Sequence, residues 1–528
     1  MTIGARFGAA LVALLAASAT SSAQGASSPA APRPDLVVYG ATAGGVVTAI
    51  AAAREGATVV LLEPGRHVGG MMSGGLGFTD FGKKEVIGGY SLEFFERLGR
   101  HYGEPLAWYF EPHVAEQVFR AWLKEAGVTL VEGERLVEGA GVTVEQGRVR
   151  EIRTESGRRY SATVFADASY EGDLMAQAKV SYTVGREPSA QYAESLAGVR
   201  DHTPFHQFRA RVSPRDERGR LLPEVAERGS DPVGAGDRRV QAYNFRLCMT
   251  ERPGIRVPFP KPAGYTPGRF ALLARYLQAW ERERGTPVRV DEVMKPDLLR
   301  NGKTDTNNNG AFSTDYIGGN YGYPDGSYAE RARIWQAHVD YQQGLLYFLA
   351  NDPSVPATLR RELGTWGLCG DEFTDTAHWP HQLYVREARR MVGVFVMTQR
   401  DIQQDLAKAD SIGMGSYNSD SHNLQRIPTP DGAAVENEGD MQVAVTPYQI
   451  PFRLILPKRE QVTNLLVPVA FSASHVAYST LRMEPQYMII GQAAGVAAAM
   501  AARSGAAVQD VDVEALRARL EAQRAVLR

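Results

Sequence analysis

Apolar positions along the chain follow two rhythms. From Asp35 to Gly77 they come in short dense blocks broken by glycine. Leu36 to Tyr39 is long enough for one buried strand, and Thr58 to Leu62 is a second one that ends on Glu63. Between them Val46 to Glu55 is rich in Ala, Val and Ile and stops at Gly56, a helix C-cap. Ser91 to Tyr102 and Pro112 to Ala126 are amphipathic; the second carries Val114, Val118, Phe119 and Trp122 on one face and halts at Gly127. Val128 to Val131 predicts a strand. Leu136 to Thr154 alternates apolar and polar about a Gln146-Gly147 turn, which predicts a hairpin. Tyr160 to Ala166 predicts a strand that runs into the acidic turn Asp167 to Asp173.

From Gly185 to about Pro457 the rhythm changes: Tyr, Asn, Asp, Pro and Trp become common and the strand–helix alternation fades. Phe270 to Arg284, Tyr328 to Asn351 and Pro380 to Gln403 predict helices. Asn301 to Asn309 and Gly413 to Asn423 read as polar loops. The first rhythm then returns, with Asn464 to Ala470 as a buried strand and Tyr487 to Ala502 as an Ala/Gly-rich helix. Val511 to Leu527 predicts an exposed amphipathic helix.

The blocks at Asp35 to Glu63 predict strand, glycine turn, helix and strand, the start of a dinucleotide-binding fold. Gly40 permits a sharp exit from the strand, and Gly45 permits close packing of helix on sheet. The helix N-terminus suits a pyrophosphate. Glu63 lies 18 residues beyond Gly45, near the spacing of roughly 20 at which an acid meets a ribose diol. The middle glycine of the fingerprint is replaced by Thr42, which crowds the pyrophosphate, while Gly44 beside Gly45 restores some room. Glycines recur in Pro64 to Gly75, as expected where backbone passes close to a flat ligand. His67, the reactive side chain there, is either a covalent flavin attachment point or a hydrogen-bonding loop residue.

The chain has 528 residues, 44% of them hydrophobic, and a net charge of −2. That supports a large core in one or two domains and argues against general nucleic-acid binding. Arg6, the apolar run Phe7 to Ala19 and the small residues Ser21-Ser22-Ala23 read as a secretory signal peptide. A Ser/Ala/Pro linker follows to Pro34, and nothing later looks like a membrane span. Export permits a disulfide between Cys248 and Cys369; buried free thiols fit equally well. No Cys/His cluster has zinc spacing, so no metal site is expected.

Eight segments carry a family resemblance: YGATAGG, LLEPGRHVGGMMSGGLG, EPHVAE, ADASYEGDLMAQAKVSYTVGRE, NGKTDTNNNGAFSTDY, QLYVREARRMVG, MGSYNSDSH and ASHVAYSTLRMEPQYMIIGQAAG. Through them the chain resembles the FAD-dependent oxidoreductases of the glutathione-reductase-like superfamily, and within it a group of secreted bacterial proteins. The resemblance covers nearly all of the chain after the leader. It departs at Thr42 and at Ser169, where related chains often carry Thr or Gly. It implies an α/β protein: a Rossmann-like FAD-binding domain with a large inserted α+β substrate domain. The expected boundaries are a signal peptide over 1–23, a linker over 24–34, FAD-binding parts over 35–184 and 458–505, an insert over 185–457 and a C-terminal helix over 506–528.

The implied cofactor is FAD. The positions expected to hold it are Gly40, Thr42, Gly44, Gly45, Glu63, Pro64, His67, Gly69, Gly70, Ser73, Gly74, Val137, Asp167, Ala168, Ser169, Gly172, Asp173, Arg482, Gly491 and Ala494. In such families the closing helix aims its N-terminus at the flavin C2 carbonyl, where reduced flavin carries negative charge. No second dinucleotide turn is visible, so no NAD(P)H site is expected. Candidate catalytic residues are His422 and Tyr417 in the Gly413 to Asn423 segment, His475 before the closing helix, and Arg386. A histidine suits the proton acceptor that flavin-linked oxidation of an alcohol or amine needs. His475 also fits a buried hydrogen-bonded residue, and Arg386 with Arg390 fits either an anion clamp or a structural ion network. The expected function is hydride transfer from a small hydroxylated, carbohydrate-like substrate to flavin, with oxygen, a quinone or a redox protein as acceptor. The alternative is a secreted carbohydrate-binding or carbohydrate-cleaving protein with a non-redox flavin.

Overall fold

Short valine- and leucine-rich strands at β1 (Leu36–Tyr39), β2 (Val59–Glu63), β3 (Thr129–Glu132), β6 (Val164–Asp167) and β11 (Leu465–Leu466) form one all-parallel sheet. Its spatial order is β11-β6-β1-β2-β3, the doubly wound order that opens outward from β1. Tyr39 pairs with both Leu62 and Asp167. The register therefore brings the turn at Gly40, the carboxylate of Glu63 and the turn after Asp167 out at one level. A computed structural model describes residues 33–404 and 407–528. The expected signal peptide and linker fall, but for Arg33 and Pro34, outside the described residues.

Helix α1 (Ala43–Arg54) follows β1 and is buried from Ala43 to Ala52. It lies between the sheet and α7 (Glu484–Ser504), itself almost wholly buried. Small residues make this crossing possible: a Cβ on Gly491 would overlap the Gly44 carbonyl, and one on Gly495 the Thr48 carbonyl. α2 (Gly89–His101) and α3 (Pro112–Glu125) cover the same face, with Phe94, Phe95, Phe119 and Trp122 in one core. The crossover from β3 to β6 is an antiparallel hairpin, β4 (Val142–Glu145) and β5 (Arg148–Arg153), turning at Gln146-Gly147 as expected.

Residues Pro34–Arg528 form one compact unit. The predicted helices α4 (Ala271–Arg284) and α5 (Tyr328–Asn351) are present, and Cys248 and Cys369 form a disulfide. Several elements differ from expectation. Pro380–Gln403 is not one helix: it is an extended buried segment in which Arg390–Met391 pair with Tyr182–Thr183, followed by a short helix, α6 (Gln399–Gln403). The segment is buried from Leu383 to Met391, and its amides find remote carbonyls, Tyr384 on Asn244 and Met391 on Ala470. The expected Asn301–Asn309 loop contains a strand, β8 (Thr304–Asn308), paired with β7 (Met294–Leu298). Its ladder is polar, with Thr304 and Thr306 hydroxyls 2.9 Å apart, so no apolar alternation marked it. Gly413–Asn423 likewise holds the end of β9 (Ser411–Gly415) and all of β10 (Ser419–Ser421). Of Asn464–Ala470 only β11 enters the sheet. The terminal helix, α8 (Val513–Ala522), buries Leu516 and Leu520.

Candidate functional site

The strand ends build a cradle. Gly40 adopts φ +95°, open to glycine and costly for other residues. Thr42 caps α1: its hydroxyl accepts from Gly45 N at 3.1 Å and donates to Ala168 O at 2.8 Å. The side chain expected to crowd a pyrophosphate is thereby turned toward the β6 turn. Ala43 and Gly44 remain as first-turn amides without intrahelical acceptors. Glu63 accepts from Ala41 N at 2.8 Å and Gly65 N at 2.7 Å, and burial pushes its carboxyl up to about 7. Asp167 is saturated by Ser169 N, Ser169 Oγ and Met175 N. It therefore shapes the turn through Gly172. Asp173 pairs with Arg331 at 2.7 Å and Arg389 at 2.8 Å, which together outweigh its burial and hold it below the usual carboxylate range.

A cavity of about 500 Å³ opens beside these strand ends, lined by Tyr39, Pro64, Arg135, Ser169, Asp173, Tyr323 and Trp335. Ligands of open α/β sheets bind at this edge. Val137 follows Arg135 in the chain, its amide spent on Arg153 O. The glycine loop is tied back to the cradle: Gly69 N bonds Ala41 O at 2.7 Å, and Met71 N bonds the Tyr170 hydroxyl at 2.9 Å. Tyr170 donates onward to Glu484 at 2.6 Å, in the first turn of α7. Ser73 donates to Gly70 O, and Gly74 packs against Gln382. Around that first turn Arg482 Nε, Glu484 Oε2 and both amide atoms of Gln486 are buried with no partner among the described groups. Unmet donors and acceptors at a helix N-terminus beside a glycine loop fit the polar edge of an isoalloxazine. Gly491 serves the α1–α7 crossing, and Ala494 is buried in the same helix.

A second cavity, of about 470 Å³, is lined mainly by polar groups, among them Asp80, His206, Gln207, Lys295, Asn307, Asn308, Asn309, Tyr417, Asp420, His422 and Gln442, together with Pro204, Phe205 and Phe208. It brings together the predicted His422 and Tyr417. His422 Nδ1 lies 2.6 Å from Asp315 Oδ2. Asp315 is fully enclosed, yet Arg386 at 3.1 Å and His422 overcome that burial and hold it at about 2. Arg386 also donates to Ala242 O and Asn244 Oδ1. Arg386 is thus linked to His422 through Asp315.

Four residues here were not foreseen from the sequence. Asp315 ends the NGKTDTNNNGAFSTDY motif but has no spacing signature to His422. His206 stacks parallel to His422, centroids 6.5 Å apart, at φ +51°, a strained setting for a side-chain-bearing residue. Burial and the neighbouring His422 push its imidazole below the usual histidine range. Asp80 is pushed up by burial, and Tyr417 is raised by burial and by Asp80 opposite it. Asp440, pushed up to about 8 by burial and by Asp420, leaves Oδ2 unpartnered among the described groups.

His475 stands elsewhere. Its Nδ1 meets Glu387 at 2.8 Å and its Nε2 meets Ser421 Oγ at 3.3 Å. Burial and Arg390 depress it to about 3. Arg390 binds Glu187, Glu387 and two carbonyls. Arg386 and Arg390 therefore diverge, and the shared anion clamp is replaced by two separate networks. His67 lies between Glu116 and Asp375, each at 3.2 Å, and Glu116 raises it. Arg482 donates to Tyr384 Oη and Asp420 O, linking the start of α7 to the second cavity.

With cradle and cavities in place, the class is defined by the sequence family that fits them: FAD dependent oxidoreductase matches residues 35–520. The chain belongs to that family. It is an FAD-dependent oxidoreductase and its cofactor is FAD. No curated protein matches it. Among solved structures it is similar to L-proline dehydrogenase from P. horikoshii, at 17% identity and TM-score 0.24, over 30% of this chain and 58% of that one. It is also similar to L-amino acid deaminase from Proteus vulgaris, at 18% identity and TM-score 0.22, over 30% and 53%. The chain thus spans little more than half the length of these proteins.

Proposed function

We propose that this protein oxidises a small hydroxylated substrate in the polar cavity at His422. The observation that carries the reading is the His422–Asp315–Arg386 array opening on a cavity lined by amides, carboxylates and a phenol. Such a lining suits several hydroxyl groups at once. FAD held by the cradle supplies the hydride acceptor. Asp315 accepts the Nδ1 proton of His422 and fixes the tautomer whose Nε2 is basic. His422 then takes the hydroxyl proton as the substrate carbon loses hydride, and a carbonyl forms. Asn307, Asn308, Tyr417 and Asp420 orient the remaining hydroxyls.

The cradle residues Glu63, Gly44 and the start of α7 are the proposed cofactor contacts. Export is part of the same reading: the leader pattern of the sequence and the Cys248–Cys369 disulfide support an oxidising compartment. Among the described residues no helix is long and apolar enough to cross a membrane. The test is a screen of sugars, polyols and amines for anaerobic bleaching of the bound flavin. Bleaching by a hydroxylated compound supports the proposal; bleaching by amines alone contradicts the substrate class. A carbohydrate cleaved while the flavin stays oxidised would favour a non-redox carbohydrate enzyme. Oxygen consumption then separates oxygen from a quinone or redox protein as acceptor.

A further inference from the structure

Three remote segments meet beside the loop that follows β2. His67 comes from that loop, Glu116 from α3, and His381 from the extended segment after Pro380. One ligand atom of each lies within 4.8 Å of the others. The two imidazoles stack with centroids 3.8 Å apart and planes 9° from parallel, so one ring has to rotate out of the stack for both in-plane lone pairs to reach a shared ion. His67 Nδ1 lies 3.2 Å from Glu116 Oε2. That is the separation of two atoms each about 2 Å from a shared tetrahedral centre.

The surroundings suit ligation. Behind His67, Asp375 Oδ2 lies 3.2 Å from Nε2, placed to keep the proton on Nε2 when an ion displaces the one that Nδ1 shares with Glu116. The other oxygen of Glu116 is fixed by Arg120 Nε at 2.9 Å and Val68 N at 3.3 Å. His381 Nε2 is buried and has no hydrogen-bond partner among the described groups. All three side chains are partly exposed, so an ion has a way in. The loop that presents Asp375 and His381 holds Phe373, Ala377 and His378 at φ of 52°, 55° and 64°. Backbone of that kind persists where its surroundings enforce it, often around a ligand.

A second cluster sharpens the contrast. Glu111, His113 and Glu372 also come together, but Lys303 Nζ already sits 2.8 Å from Glu111 and 2.7 Å from Glu372. A built-in ammonium fills that site; in the His67 cluster the nearest cation, Arg120, pairs with Glu116 Oε1 and leaves Oε2 facing His67.

We infer that His67, Glu116 and His381 bind a divalent transition cation of the zinc class, with Asp375 orienting His67 and water completing the coordination. Two imidazoles and one carboxylate favour such an ion over calcium or magnesium. The test is calorimetric titration of Zn²⁺ into the EDTA-treated, flavin-loaded protein, alongside the melting temperature with and without Zn²⁺. The expected result is one ion per chain and a rise in melting temperature. His67→Ala and His381→Ala should each weaken binding by about tenfold or more, and His378→Ala should not. His381→Gln, which keeps the side-chain volume, repeats the test if the alanine variant folds poorly. No Zn²⁺ binding by the native chain, or undiminished binding by the folded His67 and His381 variants, overturns the inference.

Discussion

His422 and His475 belong to one hydrogen-bonded chain yet live in opposite surroundings. His422 N donates to Gln241, Gln241 donates to Glu387, and Glu387 meets His475. At one end a carboxylate held ionised by Arg386 backs the ring, and a polar cavity lies in front of it. At the other end the ring is sealed among Glu387, Ser421 and Arg390, and burial keeps it neutral. The residue type is the same; solvent access and the charge behind the ring decide what it can do. A base needs both a partner that stabilises its protonated form and an open face. Only His422 of the pair has both.

The largest effect that sharpens this contrast is expected at His422. His422→Ala should keep the flavin spectrum and lower the rate of substrate-driven flavin bleaching by roughly 10²- to 10⁴-fold. Glu63→Ala removes the acceptor of two amides and of the proposed ribose contact. It should weaken FAD retention by about ten- to a hundredfold, read as the flavin fraction surviving gel filtration. Asp315→Asn should lower kcat with little change in KM, because the tautomer of His422 is lost while the cavity lining stays. His475→Ala should cost about 2 kcal/mol of stability, since Glu387 loses a buried partner, and change kcat less than tenfold. A loss as large as that of His422→Ala would break the contrast and return His475 to the chemistry.

Asp440 gives the smallest and most pH-dependent effect. Its carboxyl is raised from the ordinary range to about 8, so the folded chain holds a proton that the unfolded chain has released. That contribution to stability is full below about pH 4 and is lost as pH rises toward 8. Asp440→Asn mimics the protonated form. It should flatten the fall in melting temperature between pH 5 and 8, and an unchanged slope would contradict the assignment.

The cradle was legible because its signals are local. Strand, glycine turn, helix and acid follow one another in about thirty residues, and each carries its own composition. The hairpin at Gln146-Gly147 and the helices at Ala271–Arg284 and Tyr328–Asn351 were legible for the same reason. The second cavity was only half legible. His422 and Tyr417 stood out as reactive side chains in a polar stretch, but Asp315 and His206 reach His422 through long-range contacts that no spacing encodes. The stretch from Pro380 misled for a physical reason: its apolar residues recur at helical intervals while backbone amides such as those of Tyr384 and Met391 bond to carbonyls remote in sequence. Polar strands such as Thr304–Asn308 are hidden because they are buried on hydrogen bonds rather than on apolar alternation.

The most direct test of the central claim compares anaerobic flavin bleaching in the native protein and in His422→Asn, with the same hydroxylated substrate and matched flavin content. The account predicts fast bleaching in the native protein and a rate at least a hundredfold lower in the variant. Equal rates in the two proteins would contradict it and place the reacting substrate away from His422.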